Sequence, residues 1–296
     1  MSDLFLQVVV SGLLIGGVYA LLSIGLTMIF GVVRIINFAH GEIMMLAMYL
    51  TFWLHTAYGI DPYLSLLVVA PVIFALGVAI QRLVIQPILE APPLMKVFAT
   101  VGLYIALQNL ALMLFTADFR TIQTPYASAS FRVGAISVSE PRLYAFLCAI
   151  LLIVVLWAFL KFTLVGKALR AVAENRTVAA LMGIKVTRLY LLAFGVGAAI
   201  TGVAGTLLLP FSYVFPTIGS IYTLVAFVIV VLGGMGNMLG AFFGGLFIGL
   251  VESFSGTYIS PAIKEAAYFV IFILVLLVRP QGLFGMGKGS EEVGLK

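Results

Sequence analysis

Nine apolar runs, most of them close to the length of a bilayer crossing, constrain this chain more than any other feature. They cover positions 4–30, 43–58, 63–80, 97–115, 143–160, 189–209, 222–232, 238–253 and 265–278. A hydrocarbon core about 30 Å thick takes roughly 20 helical residues to cross. Lipid offers the backbone no partner, so each run must satisfy its own amides as a helix. Composition points the same way. Hydrophobic residues make up 63% of the 296 positions and charged residues 9%, whereas soluble domains average about 45–50% and roughly 25%. The expected fold is all-α: one polytopic transmembrane bundle over 1–296, with about 8–9 spans.

The net charge of +5 orients such a chain rather than implying nucleic acid. With the N-terminus outside, only Arg120, Arg132, Arg142 and Lys264 of the 16 basic residues fall outside. The rest, from Arg34 to Lys288 and Lys296, fall inside, as the positive-inside bias requires. Asp3 in place of a basic cluster, ahead of an over-long apolar run, reads as a span rather than a signal peptide. The first run would be about 40 Å long as a helix, so it must tilt, bend or protrude.

Positions 222–253 are interrupted by Gly233-Gly234-Met235-Gly236-Asn237. Two short crossings joined there keep the basic tail inside, and a re-entrant hairpin is the alternative. The outer loop, 116–142, contains a β-branched and polar stretch at 131–138 that reads as a short strand or hairpin. The inner loop, 161–188, carries six basic residues: Lys161, Lys167, Arg170, Arg176, Lys185 and Arg188.

Chemistry-bearing constellations are sparse. Positions 282–289 match a nucleotide-binding glycine loop only as far as Lys288, and Gly289 stands where a hydroxyl residue would hold magnesium. Two histidines and the single Cys148 supply no metal-ligand set, no catalytic set and no internal disulfide. No catalytic, cofactor or metal residue is therefore expected. Glu42, Glu252 and Glu265 stand near the ends of runs and read as interfacial carboxylates.

The inner loop is alanine-rich between 166 and 184, which favours helix. Asn175 is placed to cap a second short helix and Gly183 to end it. Val178, Leu181 and Met182 would then share one face, suited either to a partner protein or to lipid headgroups. The order Glu174, Ala179, Ala180, Gly183 resembles the cytoplasmic coupling loop of ABC importer permeases. In that family the loop docks into a groove of the ATPase subunit.

Two further stretches narrow the resemblance. They are Ile36-Asn37-Phe38-Ala39-His40-Gly41-Glu42, and Val231–Asn237 running on into Gly240-Ala241-Phe242-Phe243-Gly244-Gly245. Both resemble signatures of the high-affinity branched-chain amino acid permease family, and the order of features matches along essentially the whole chain. Asn37, His40, Gly41 and Glu42 read either as a gate at the cytoplasmic mouth or as the capped start of the next helix. Gly236, Gly240 and Gly244, with Gly245 and Gly249, form small-residue stripes for close helix packing. Tyr19, Ser23 and Thr27 share a face with Gly12 and Gly16 in the first run. Tyr104, Gln108 and Asn109 place polar groups in the fourth. Both sets are candidates for the translocation path, with packing as the competing use.

The resemblance implies the membrane subunit of an ATP-driven importer in a bacterial inner membrane. It implies a related permease partner, two ATP-binding cassette subunits inside and a periplasmic substrate-binding protein outside. The cargo would be a branched-chain or similar apolar amino acid. A urea or short-amide permease of the same superfamily and an ATP-independent channel or carrier are the rival readings.

Overall fold

The computed structural model describes residues 2–127, 129–134 and 136–284. All nine apolar runs are helical. They form α1 (Ser2–Val33), α2 (His40–Tyr58), α3 (Pro62–Ile80), α4 (Pro93–Phe115), α5 (Glu140–Phe162), α8 (Val186–Leu208), α9 (Ile218–Gly233), α10 (Met238–Tyr258) and α11 (Lys264–Val278). Between α5 and α8 lie two short helices, α6 (Leu164–Glu174) and α7 (Arg176–Leu181). The two strands, β1 (Ser130–Val133) and β2 (Ile136–Ser139), pair antiparallel. They overlap the stretch expected to be extended and run one residue past it at each end; Ala135 lies outside the described residues. So do the glycine-tail positions 285–289, Lys288 and Lys296.

Among the described residues, six helices are long and apolar enough to cross a membrane: those within 3–33, 62–88, 93–115, 140–162, 186–211 and 238–258. α9 and α11, at 16 and 15 residues, are shorter. The expectation of about 8–9 spans is therefore approximate.

α1 and α8 are the buried centre. α1 packs along α10 with little between them. A Cβ at Gly12 would stand 2.9 Å from the Leu250 Cα, and one at Gly16 would stand 2.9 Å from the Leu246 Cα. Gly245 and Gly249 face back onto Ala20 and Gly16. Small residues on both helices let the backbones approach to a distance at which dispersion, rather than water exclusion, holds them. The other stripe, Gly240 and Gly244, turns toward Gly233 and Ile229 of α9, and Gly236 lies against Gly31. α3, α4 and α5 form the rim, with Leu67, Met113 and Leu151 exposed, as lipid-facing side chains should be.

The two ends of the bundle differ. At one end the β-hairpin is clamped to α1: Gln7 donates to Ser137 O at 2.8 Å, and Ser137 N donates back to Gln7 Oε1 at 2.8 Å. Arg120 and Val214 pair there as an isolated bridge. The other end carries α6 and α7. Arg34, just past α1, donates to Ala173 O at 3.1 Å. The turn after α9 meets the described tail at that same end, where Leu283 N donates to Leu232 O at 2.7 Å and Asn237 Nδ2 donates to Phe284 O at 2.9 Å. α9 and α10 are therefore successive passes joined at the α6–α7 end, and α9 is the shortened one.

Candidate functional site

Residues 34–39 do not make a surface turn. They are non-helical or turn-like and run back into the bundle, so that α2 begins deep inside it. His40 Nε2 lies 3.1 Å from Leu22 O and 3.0 Å from Thr201 Oγ1. Leu22 stands eleven residues before the end of α1, which is about 16 Å at 1.5 Å per residue. A carbonyl can only accept, so the proton sits on Nε2; the Thr201 hydroxyl donates its own hydrogen bond to Gly197 O at 2.8 Å. His40 Nδ1 has no hydrogen-bond partner among the described residues.

The group therefore lies inside the bundle rather than on an exposed turn. Asn37, His40 and Glu42 are all fully buried. Asn37 does not cap α2 either. Its Oδ1 accepts from Ala39 N at 3.1 Å, and the N-cap position is Ala39. Glu42 does sit in the first turn of α2, but it is enclosed rather than interfacial. Its carboxylate packs on Gly219 of α9, and neither oxygen has a hydrogen-bond partner among the described residues. A polar cluster at the edge of an apolar run looks the same whether the chain turns at the surface or folds inward.

α9 meets this cluster head-on. Gly41 N donates to Thr223 Oγ1 at 2.9 Å. The first turns of α2 and α9 thus converge inside the bundle, with the Glu42 carboxylate packed against Gly219 beside the contact. Broken helices whose ends meet within the hydrocarbon are the usual way a membrane bundle builds a solute site. Thr201, Gly219 and Thr223 have no motif that would have marked them.

The pathway candidates separate. Ser23 and Thr27 are buried, with hydroxyls that have no hydrogen-bond partner among the described residues. Tyr19 donates to Glu252 Oε2 at 2.7 Å. Glu252 also pairs with Lys264 at 2.9 Å, and the pair had no sequence signal beyond two charges beside apolar runs. Tyr104, Gln108 and Asn109 are not brought to this group. α4 lies at the rim, and Asn109, exposed, donates to its own Ile105 O at 2.8 Å. Within this chain the two sets do not line one path.

The α6–α7 end presents a different surface. Asn175 Oδ1 accepts from Thr177 N and Val178 N, both at 3.0 Å, and so caps α7. Gly183, at φ 81°, closes it: Gly183 N donates to Ala180 O at 3.0 Å and Ile184 N to Ala179 O at 3.1 Å. Those two bonds are the Schellman pattern, which wants glycine at the left-handed position. Ala179 is buried, whereas Glu174, Ala180 and Gly183 are exposed. Val178, Leu181 and Met182 project outward, Leu181 at 82% exposure.

A lipid-facing bundle in which helix ends and buried polar side chains meet inside is the build of a membrane transport protein. Comparison with known proteins gives the family. The family model described as branched-chain amino acid transport system / permease component matches residues 8–278, and the chain belongs to that family. It is 35% identical to the high-affinity branched-chain amino acid transport system permease protein LivH of Escherichia coli (strain K12), over 95% of this chain and 96% of that one. It is 33% identical to the corresponding permease protein BraD of Pseudomonas aeruginosa, with 95% and 96% covered. It is 28% identical to a probable branched-chain amino acid transport permease protein LivH of Methanocaldococcus jannaschii, with 97% and 95% covered. No solved structure matches the chain.

Proposed function

We propose that this permease is the membrane half of an ATP-driven importer that carries branched-chain or similar apolar amino acids inward. Two ATP-binding cassette subunits would sit at the α6–α7 end. A substrate-binding protein would dock at the hairpin end, and a related permease chain would complete the membrane unit in a bacterial inner membrane. The observation that carries the reading is the short, capped α7 with an unpartnered apolar face beside the exposed Glu174, Ala180 and Gly183. A six-residue helix is too short to persist through its own hydrogen bonds. Here it is held by a cap and a Schellman closure at its two ends, which keeps a rigid knob in place for a groove. The names of the relatives support the cargo class.

Motion would pass from α6 and α7 into the bundle through α5, whose end meets Gly166, and through the Arg34–Ala173 bond at the end of α1. The convergent starts of α2 and α9 are where the bundle could switch between outward-open and inward-open packings.

The test is ATP hydrolysis by the assembled complex in nanodiscs, with and without leucine-loaded binding protein. The importer reading expects the loaded binding protein to stimulate turnover only when this permease is present. A permease that does not hold the ATPases, yet passes leucine down its gradient, would instead support the channel or carrier reading.

A further inference from the structure

We propose that a cavity between α1, α9, α10 and α11 is a cargo subsite that holds the zwitterionic head of a free amino acid, with Glu252 taking the ammonium and Lys264 the carboxylate. The proposal rests on the importer reading and adds to it the atoms that would touch cargo. The cavity has a volume of about 200 Å³ and is lined by Tyr19, Ile218, Tyr222 and Val225, by Glu252 and Lys264, and by a second carboxylate, Glu265. Sites for drug-sized ligands run about 300–1,000 Å³, so this one suits a smaller solute. It shares Ser212 and Tyr213 with a wider, open cavity of about 620 Å³ at the hairpin end, lined also by Phe119 and Arg120. On this proposal a solute delivered at the hairpin end would enter past these two shared residues, with the wider cavity as its vestibule.

The chemistry is specific. Lys264 Nζ and Glu252 Oε1 lie 2.9 Å apart, with side-chain exposures of 43% and 14%. Tyr19 donates to the other carboxylate oxygen at 2.7 Å, which fixes the orientation of Glu252. Two opposite charges held side by side match the adjacent ammonium and carboxylate of an amino acid. Cargo would dock its ammonium on Glu252 and its carboxylate on Lys264 as these two part. Each ion would trade one partner for another, so no charge would be left dehydrated and alone. The Tyr19 and Tyr222 rings, 6.4 Å apart edge to face, would add an electron-rich face for the ammonium. Ile218 and Val225, both buried, offer an apolar wall to the side chain. A simple amine or a simple carboxylic acid would engage only one of the two ions.

The competing use of the pair is to tether α10 to α11, and a charge swap separates the two roles. The experiment measures uptake of radiolabelled L-leucine by the full importer, reconstituted with its ATPases and binding protein, for the wild type and for E252K/K264E. The swap keeps an ion pair but reverses its polarity against the fixed vestibule and apolar wall. The proposal expects kcat/KM for leucine to fall at least about tenfold, while the complex still co-elutes with its ATPase subunits. Uptake by the swapped protein at the wild-type level would overturn the subsite and leave a tether. Should the swap fail to assemble, the uncharged pair E252Q/K264M decides. An assembled complex with uptake down about tenfold or more supports the subsite, and uptake within about twofold of wild type overturns it. A wild-type importer that takes up no leucine under ATP would overturn the importer reading and the subsite with it.

Discussion

Gly41 and Gly219 meet backbone to backbone, so the first turns of α2 and α9 touch with no side chain between them. A Cβ on Gly41 would run into the Gly219 carbonyl and come within 2.5 Å of Thr223 Oγ1, and one on Gly219 would come within 2.5 Å of the Glu42 carboxylate. Gly41→Ala must push the two helices apart, and overpacking of this kind costs about 1–3 kcal/mol. Gly256, in α10, has nothing within 4 Å of its Cβ position. Gly256→Ala should be neutral or should stabilise by about 0.5–1 kcal/mol through helix propensity. Thermal unfolding of the two variants in the same detergent checks the contrast; equal Tm values would mean that the close approach is absent.

The exposed face of α7 gives a prediction that separates folding from coupling. Leu181 is mostly exposed, so Leu181→Asp should change the stability of the isolated permease by no more than about 0.5 kcal/mol. Binding of the ATPase subunits should weaken at least about tenfold, as for a central apolar anchor. Pull-down of the ATPases against permease thermostability reads both quantities from one preparation.

Caps and surface charges should differ in their effect on the same helix. Asn175→Ala removes the acceptor for Thr177 N and Val178 N and should cost α7 about 1 kcal/mol. Arg176 and Glu90 lie 3.7 Å apart on the surface, with exposures of 58% and 85%. Arg176→Ala should therefore change little, within about 1 kcal/mol at most. Hydrogen exchange over 176–184 measures both: protection drops in the first variant and holds in the second.

The hairpin clamp makes a local prediction. Gln7 both donates to and accepts from Ser137. Gln7→Ala should free β1 and β2 from α1 at a net cost of about 1 kcal/mol per lost bond. Faster exchange confined to 130–139, with the bundle unchanged, is the expected result; uniform loss of protection would mean that the hairpin holds the whole fold.

Much of this architecture could be read from residue order. Every apolar run is a helix because lipid allows little else, and Asn175 and Gly183 bracket α7 because caps are local chemistry. The return of 34–39 into the bundle could not be read. Nothing near His40 or Glu42 distinguishes a surface turn from an inward one; the distinction lies in Gly219, Thr223 and Thr201, far away in the chain. The separation of α4 was hidden for a similar reason. Gln108 and Asn109 look like buried polar residues until packing leaves their helix at the rim. The Glu252–Lys264 pair depends on how α10 folds back against α11, and each charge alone looks interfacial.

The most direct test of the account is ATP-dependent leucine uptake in proteoliposomes holding the permease, its ATPases and the binding protein, for the wild type, Glu174→Lys and Gly183→Trp. The account predicts no uptake without ATP, and a fall of at least about tenfold in both variants while the complex stays assembled. Leucine entering without any ATPase, with both variants behaving as wild type, would contradict it.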